Sequence, residues 1–407
     1  MTDPPRSAPP ATPGLADPAV FPLADVPPEA LGAPAGVAAR LGRLARVRDA
    51  MVRAGVDALL LSLGADLPWL SGYEAMPLER PTVLVVPADG DATLVVPRLE
   101  APRVAVDERL FTLRAWEEGE DAASLVAALV GGRTNLAVSD RCWAALLLAL
   151  QHALPRAAWR PASEVVGPLR AVKDAAEVAA LAAAAAAADR VAAALQGGEI
   201  PLIARREADV AADIARRLLA EGHDRVNFAI VASGPNAASP HHEPGERVIK
   251  ERETVVCDFG GALRLEDSSP GYCSDITRTV ITGPPDSEIA ACYGVLRAAQ
   301  QAAVEAVAAG VSCEEIDRVA RALITEAGFG EYFIHRTGHG IGIEEHEAPW
   351  IVAGNPAPVE EGNAFSVEPG IYVPGRFGAR IEDIVIATAG GVQPLNRAAH
   401  DLVVVEA

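Results

Sequence analysis

The chain has 407 residues, half of them hydrophobic and only 4% aromatic; that length exceeds one compact core and predicts two domains filled largely by Ala and Val. Its 35 basic and 55 acidic residues leave a net charge of −20, a field that repels phosphate backbones and anionic lipid and so argues against nucleic acid and membrane surfaces as partners. Five cysteines with no C-x-x-C pair predict reduced thiols in a cytoplasmic protein.

Ten of the 32 prolines lie in the first 35 residues, so residues 1–36 are expected to form a disordered or polyproline-like tail. The tail lacks a basic start followed by an apolar run, which argues against a secretory signal. No run of 18 or more apolar residues follows, so no membrane span is expected. Residues 41–54 read as an Arg-rich amphipathic helix ended by Gly55, and 58–61 as a buried strand. The β-rich runs 82–86 and 92–96 flank Pro87-Ala88-Asp89-Gly90-Asp91, a turn signal that predicts a hairpin. Helical stretches at 122–131 and 142–153 complete a small α/β domain over residues 37–165.

The second domain is expected over residues 166–407. An Ala-rich segment from 169 to 195 predicts one long packing helix. Further helices are expected at 205–221, 286–309 and 313–327, with strands at 226–232, 254–259 and 272–281 and a β-rich remainder. Helices lying on one strongly curved antiparallel sheet fit this order, so the fold class is α+β.

Five side chains in this half stand in distinctive contexts. They are Asp258 in V-V-C-D-F-G, Asp275 in C-S-D-I-T-R-T, His339 in T-G-H-G-I-G, Glu368 in S-V-E-P-G-I-Y and Glu382 in A-R-I-E-D-I-V. An ionised carboxylate in an apolar strand is costly unless a cation compensates it. One imidazole and four carboxylates suit two hard divalent ions better than a closed zinc site. Such a pair can generate hydroxide for amide hydrolysis. Asp383 should face away from Glu382 because strand residues alternate. The glycines beside His339 permit close backbone approach. His241, His242, His335, His339 and His346 place five of the eight histidines in two short segments, which packing alone does not explain.

Taken together, these motifs resemble the catalytic domain of metallopeptidase family M24, the methionine aminopeptidase, prolidase, aminopeptidase P and creatinase superfamily with its pita-bread fold. L-R-A-V-K-D-A-A-E at 169–177 resembles the helix that opens that domain, and residues 41–73, ending W-L-S-G-Y, resemble the creatinase/prolidase-like N-terminal domain. The resemblance implies hydrolysis of Xaa-Pro bonds, as a dipeptidase or an aminopeptidase, by a metal-bridging hydroxide. The alternative it leaves is a metal-dependent hydrolase or lyase of a small non-peptide substrate. It implies that Asp258 binds one metal, that Asp275 and Glu382 bridge both, and that His339 and Glu368 complete the other. Mn2+ is the first expectation, with Co2+, Fe2+ or Zn2+ fitting the same donors. Glu368, His346 and His241 would be catalytic, and His335, His241 and His346 would line the substrate site. Arg380 and Tyr372 would support the first aspartate. A Pro-containing peptide substrate and a homodimer are implied. Asp258 and Asp275 lie seventeen residues apart, wider than in most relatives, and residues 263–270 are expected to lengthen the intervening loop.

Overall fold

Short β-branched and leucine-rich runs between turn residues build the first half of this computed structural model, which describes residues 36–265 and 270–406. The expected tail lies outside the described residues apart from Gly36. Helix α1 (Val37–Ala54) starts earlier than its amphipathic signal and stops at Gly55 as expected. There follow β1 (Ala58–Leu61), α2 (Asp66–Ser71), β2 (Val83–Pro87), β3 (Thr93–Pro97) and β4 (Thr112–Trp116). Then come α3 (Ala122–Val130), β5 (Asn135–Val138), α4 (Ala144–Ala153), β6 (Ala158–Pro161) and α5 (Ser163–Ala171). The strands form one sheet in the order β4-β3-β2-β1-β5-β6, with β2 and β3 as the expected antiparallel hairpin. Leu59 and Leu61 of β1 pack with Val47 and Met51 of α1, whereas Ala58 and Leu60 pack with Val126 and Leu150. The sheet is mixed, with β1-β2 and β2-β3 antiparallel and the other pairings parallel, and the alternation covers it on both faces.

The second half comprises α6 (Ala175–Gln196), α7 (Glu207–Ala220), β7 (Arg225–Ser233), β8 (Thr254–Leu263), β9 (Tyr272–Cys273) and β10 (Ile276–Ile281). Next are α8 (Ser287–Glu305), α9 (Cys313–Glu326), β11 (Gly338–Gly340), β12 (Glu347–Ile351) and β13 (Ala364–Val367). The chain finishes with β14 (Gly370–Val373), β15 (Phe377–Arg380), β16 (Asp383–Thr388), β17 (Gly391–Pro394) and β18 (Val403–Val404). Two expectations need correction. The helix expected over 169–195 is broken, because Asp174 caps α6 and exchanges a reciprocal capping pair with Glu177, leaving Leu169 in α5. The expected single sheet is hydrogen-bonded as two five-stranded sheets, β18-β10-β8-β7 with β9, and β12-β11-β13-β16-β17, plus the hairpin β14-β15. A backbone bridge between Thr277 and Glu382 crosses from one large sheet towards the other.

Helix α6 has the length and apolar composition of a membrane span. Here Leu181, Ala184, Ala188, Val191 and Leu195 are buried against neighbouring elements, and its Asp189 accepts backbone hydrogen bonds from Arg397 and Ala398. It is a core helix. Its Glu177 also joins the halves, since the same carboxylate oxygen accepts from Trp69 Nε1 (2.9 Å) and Tyr272 Oη (2.8 Å). All five cysteines are free thiols.

Candidate metal centre and active site

Three of the four metal-type carboxylates occupy interruptions between strands. Asp275 lies between β9 and β10, Glu368 between β13 and β14, and Glu382 between β15 and β16, while Asp258 is inside β8. The strands expected to carry Glu368 and Glu382, and the unbroken strand expected over 272–281, are therefore corrected. A break frees a side chain from strict alternation, and Pro369 enforces one by removing a backbone donor.

Strand β10 pairs antiparallel with β8 so that Thr277 faces Asp258. Residues 275, 277 and 279 then share one face. Thr277 Oγ1 donates to Glu382 Oε2 at 2.7 Å, and Thr279 Oγ1 donates to Arg380 O at 2.9 Å. Arg278 projects the other way and pairs with Asp383 Oδ1 at 2.8 Å. Asp383 thus faces away from Glu382, as alternation predicts.

His339 is held by two close backbone approaches. A Cβ on Gly338 would sit 1.8 Å from Ser366 O, and one on Gly340 would sit 2.1 Å from Ala348 O. Its Nδ1 lies 3.1 Å from Gly340 O, a carbonyl that can only accept, so Nδ1 carries the proton. The lone pair of Nε2 then faces Glu368 Oε1 at 3.1 Å and Asp275 Oδ2 at 3.9 Å. Ligand atoms of Asp275, His339 and Glu382 lie within 4.8 Å of one another. Burial and the neighbouring carboxylates push Asp275 and Glu382 well above the usual carboxylate range.

The donor set fits divalent cations. Lone pairs meet lone pairs across the centre, and the buried Oδ1 of Asp258 has no hydrogen-bond partner. A cation satisfies that orphaned oxygen and removes the repulsion among the carboxylates. Asp258 Oδ2 accepts from Arg380 Nη2 at 2.5 Å. Tyr372 reaches Asp258 through Arg380, its hydroxyl accepting from Arg380 Nη1 at 2.7 Å. His335 Nδ1 lies 2.7 Å from Arg336 O and its Nε2 lies 2.9 Å from Tyr372 Oη. Burial keeps this imidazole neutral, so Nδ1 donates to the carbonyl and Nε2 accepts from Tyr372. The result is a fixed chain from Asp258 through Arg380, Tyr372 and His335 to the backbone of Arg336.

A cavity of about 460 Å3 opens over the centre and brings together all five metal-type residues with His241, His335, His346 and Arg380. That size falls in the range of small-ligand sites, roughly 300–1,000 Å3. The His346 ring sits 3.9 Å from that of His339, and Phe228, Ile230 and Pro240 add an apolar wall. Sequence reasoning missed Arg336 and Glu345, which also line the cavity, and Ser366, whose hydroxyl donates to Glu368 Oε1 at 3.0 Å and accepts from the His339 backbone N–H at 3.0 Å. The Glu-two-before signal S-V-E could have pointed to Ser366. It also missed Glu207, a buried carboxylate that anchors the His241 loop through Ser233, Asn236 and His242. The extra residues before Asp275 extend a hairpin ladder, with Leu263 opposite Tyr272; residues 266–269 of the expected long loop lie outside the described residues.

This fold and site define a metal-dependent peptidase. Residues 170–389 match the model of metallopeptidase family M24 and residues 43–172 match the creatinase/prolidase N-terminal domain. The chain belongs to metallopeptidase family M24. It is 46% identical over 367 residues to a probable dipeptidase PepE of Mycobacterium tuberculosis, covering 89% of this chain and 96% of that protein. It is 35% identical over 357 residues to an Xaa-Pro dipeptidase of Lactobacillus delbrueckii subsp. lactis, covering 86% of this chain and 95% of that protein. The crystal structure of dipeptidase PepE from Mycobacterium ulcerans superposes with a TM-score of 0.85 at 45% identity, covering 92% of this chain and 100% of that one.

Proposed function

We propose that this peptidase hydrolyses Xaa-Pro bonds using two divalent ions held by Asp258, Asp275, His339, Glu368 and Glu382. The observation that carries the reading is the meeting of an imidazole lone pair with three buried carboxylates and the partly buried Glu368 beneath a cavity walled by three further histidines. The Xaa-Pro dipeptidase among its relatives supports the same substrate class. Asp258 would hold one ion and His339 with Glu368 the other, with Asp275 and Glu382 shared. Ions bound there would supply a water of lowered pKa and polarise the scissile carbonyl. Mn2+ is the preferred assignment; Co2+, Fe2+ and Zn2+ suit the same donors.

The side chains do the rest. Glu368 takes the proton of the attacking water and delivers it to the prolyl nitrogen. That nitrogen belongs to a tertiary amide and becomes basic only after the carbonyl carbon turns tetrahedral. His346 donates a hydrogen bond to the developing oxyanion, and His241 on the same wall orients the carbonyl. Thr277 and Arg380 keep Glu382 and Asp258 aimed at the centre. The proline ring packs beside His335 against Phe228, Ile230 and Pro240.

The test is Ala-Pro hydrolysis by metal-stripped protein reloaded with Mn2+, Co2+ or Zn2+, with metal content measured in parallel. Asp275→Asn and Glu382→Gln should each lose nearly all turnover and part of the bound metal. Full turnover by either variant with its metal retained would sink the assignment.

A further inference from the structure

Three glutamates surround His346 in the chain, and two of them are committed. Glu344 pairs with Arg141 at 3.1 Å and with Arg170 at 2.9 Å, and Glu347 pairs with Lys173 at 2.6 Å and with Arg170. Glu345 instead lines the active-site cavity, half-buried, and among the described residues no hydrogen bond or ion pair reaches its carboxylate. The two guanidiniums of the cavity are placed elsewhere. Arg380 is held by Asp258, Thr277 and Tyr372, and Arg336 lies over Trp350 with its guanidinium carbon 4.4 Å from the ring centroid.

Glu345 also stands apart from the other carboxylates of the cavity. The charges that act most on Asp275 are those of Glu382, Asp258, Glu368 and Arg380. Glu345 acts instead on the Cys273 thiol, which burial first and then this carboxylate push up. Cys273 belongs to β9, whereas His335 is tied to Tyr372 in β14, and the two strands lie in separate sheets. Glu345 and His335 therefore mark different walls. With the proline ring beside His335, the residue on the other side of the scissile bond is directed to the wall of Glu345.

A half-buried carboxylate without a partner costs free energy, which a cation brought by the ligand recovers through a charge-assisted hydrogen bond. The α-amino group of the substrate does not suit that place. It is joined through a single carbon to the scissile carbonyl and stays with it at the metal centre. A lysine or arginine side chain carries its charge several bonds farther out.

We propose that Glu345 sets the specificity for the residue before proline by pairing with a cationic side chain, so that Lys-Pro and Arg-Pro are the preferred class of substrate. The inference rests on the Xaa-Pro reading above and names the substrates within it.

The experiment compares Lys-Pro with norleucyl-Pro, which share a four-carbon side chain and differ by the terminal ammonium, and adds Glu-Pro. Each is assayed on metal-loaded wild type, Glu345→Gln and Glu345→Lys. Wild type should prefer Lys-Pro over norleucyl-Pro in kcat/KM by about tenfold or more, the value of a hydrogen bond between charged groups, chiefly through KM. The preference should shrink as ionic strength rises, because the pair is only half-buried. Glu345→Gln should bring the ratio close to one, and Glu345→Lys should turn the preference towards Glu-Pro. These ratios are insensitive to a loss of folded protein, which lowers all rates alike. A wild-type ratio near one, or a ratio unchanged in Glu345→Gln, overturns the role of Glu345 while leaving the Xaa-Pro activity standing. An equal fall for Lys-Pro and norleucyl-Pro in Glu345→Gln overturns it too, since the carboxylate would then serve the α-amino group or the fold. Hydrolysis of none of the three by metal-loaded wild type overturns the Xaa-Pro reading itself and the specificity with it.

Discussion

Thr277 and Glu382 meet twice across the seam between the two large sheets: the Glu382 backbone N–H donates to Thr277 O at 3.2 Å, and Thr277 Oγ1 donates to Glu382 Oε2 at 2.7 Å. A metal-type carboxylate is thus part of the join between sheets. The same Thr277 hydroxyl accepts from Arg380 Nε at 3.0 Å, so one buried oxygen sets the direction of Glu382 and of the guanidinium that holds Asp258.

Thr277→Val keeps the shape of that side chain and removes both hydrogen bonds. It leaves a buried carboxylate oxygen and a buried guanidinium N–H without this partner, which should cost about 1–3 kcal/mol. Metal affinity should fall by about 10–100-fold, the usual effect of losing a group that orients a ligand. Denaturant unfolding without metal and a metal titration check the two parts separately. An unchanged metal affinity would show that Thr277 does not orient Glu382.

Gly338→Ala should be among the most damaging single-methyl changes in the chain. The added carbon would lie 1.8 Å from Ser366 O, backbone that belongs to β13 and cannot swing aside. A loss above about 4 kcal/mol is expected, the range reached only by a direct core conflict of this kind. Gly390→Ala is the control, because a Cβ there meets nothing within 4 Å; it should change stability by less than about 0.5 kcal/mol. Thermal unfolding of both variants gives the comparison, and similar midpoints would disprove the conflict at Gly338.

Glu347 predicts a pH dependence of its own. Burial would raise its pKa, but Lys173 and Arg170 outweigh burial and leave it below the ordinary glutamate value of 4.5. Lys173 Nζ donates to Glu347 Oε1 at 2.6 Å, and Arg170 donates to Oε2. A carboxylate with a depressed folded pKa stabilises the fold above its unfolded pKa and loses that contribution as pH falls through the folded one. Removing one partner of a buried pair costs about 3–5 kcal/mol, so Glu347→Gln should be less stable than wild type by that order at pH 7. The gap should narrow as pH drops below 4.5. Urea unfolding across that window is the measurement; a gap constant down to the acid limit would mean the charge of Glu347 is not what the pair contributes.

Much of the site was legible in the sequence because its special positions impose local backbone demands. Gly338 and Gly340 flank His339 where the chain passes within van der Waals contact of other backbone. Pro369 follows Glu368 where a strand has to stop. Alternation of residues 277, 278 and 279 separated the groups facing the centre from Arg278, which turns to Asp383. The break before α6 was hidden in an alanine run whose helix propensity is uniform, although Asp174 and Glu177 carried the capping signal.

The sequence by itself determined the class of chemistry. The metal-type residues and their glycine, proline and threonine neighbours encode short-range geometry that few other folds would need. Tertiary structure alone decided which of these groups meet. Asp275 and Glu382 are brought into one ligand cluster only by closure of the seam between sheets. Tertiary structure also separated two arginines that look alike in sequence, leaving Arg380 saturated and Arg336 open on Trp350. The reason is that propensity, capping and strand alternation act over a few neighbouring residues, whereas a side chain's partner is fixed by packing between segments far apart in the chain.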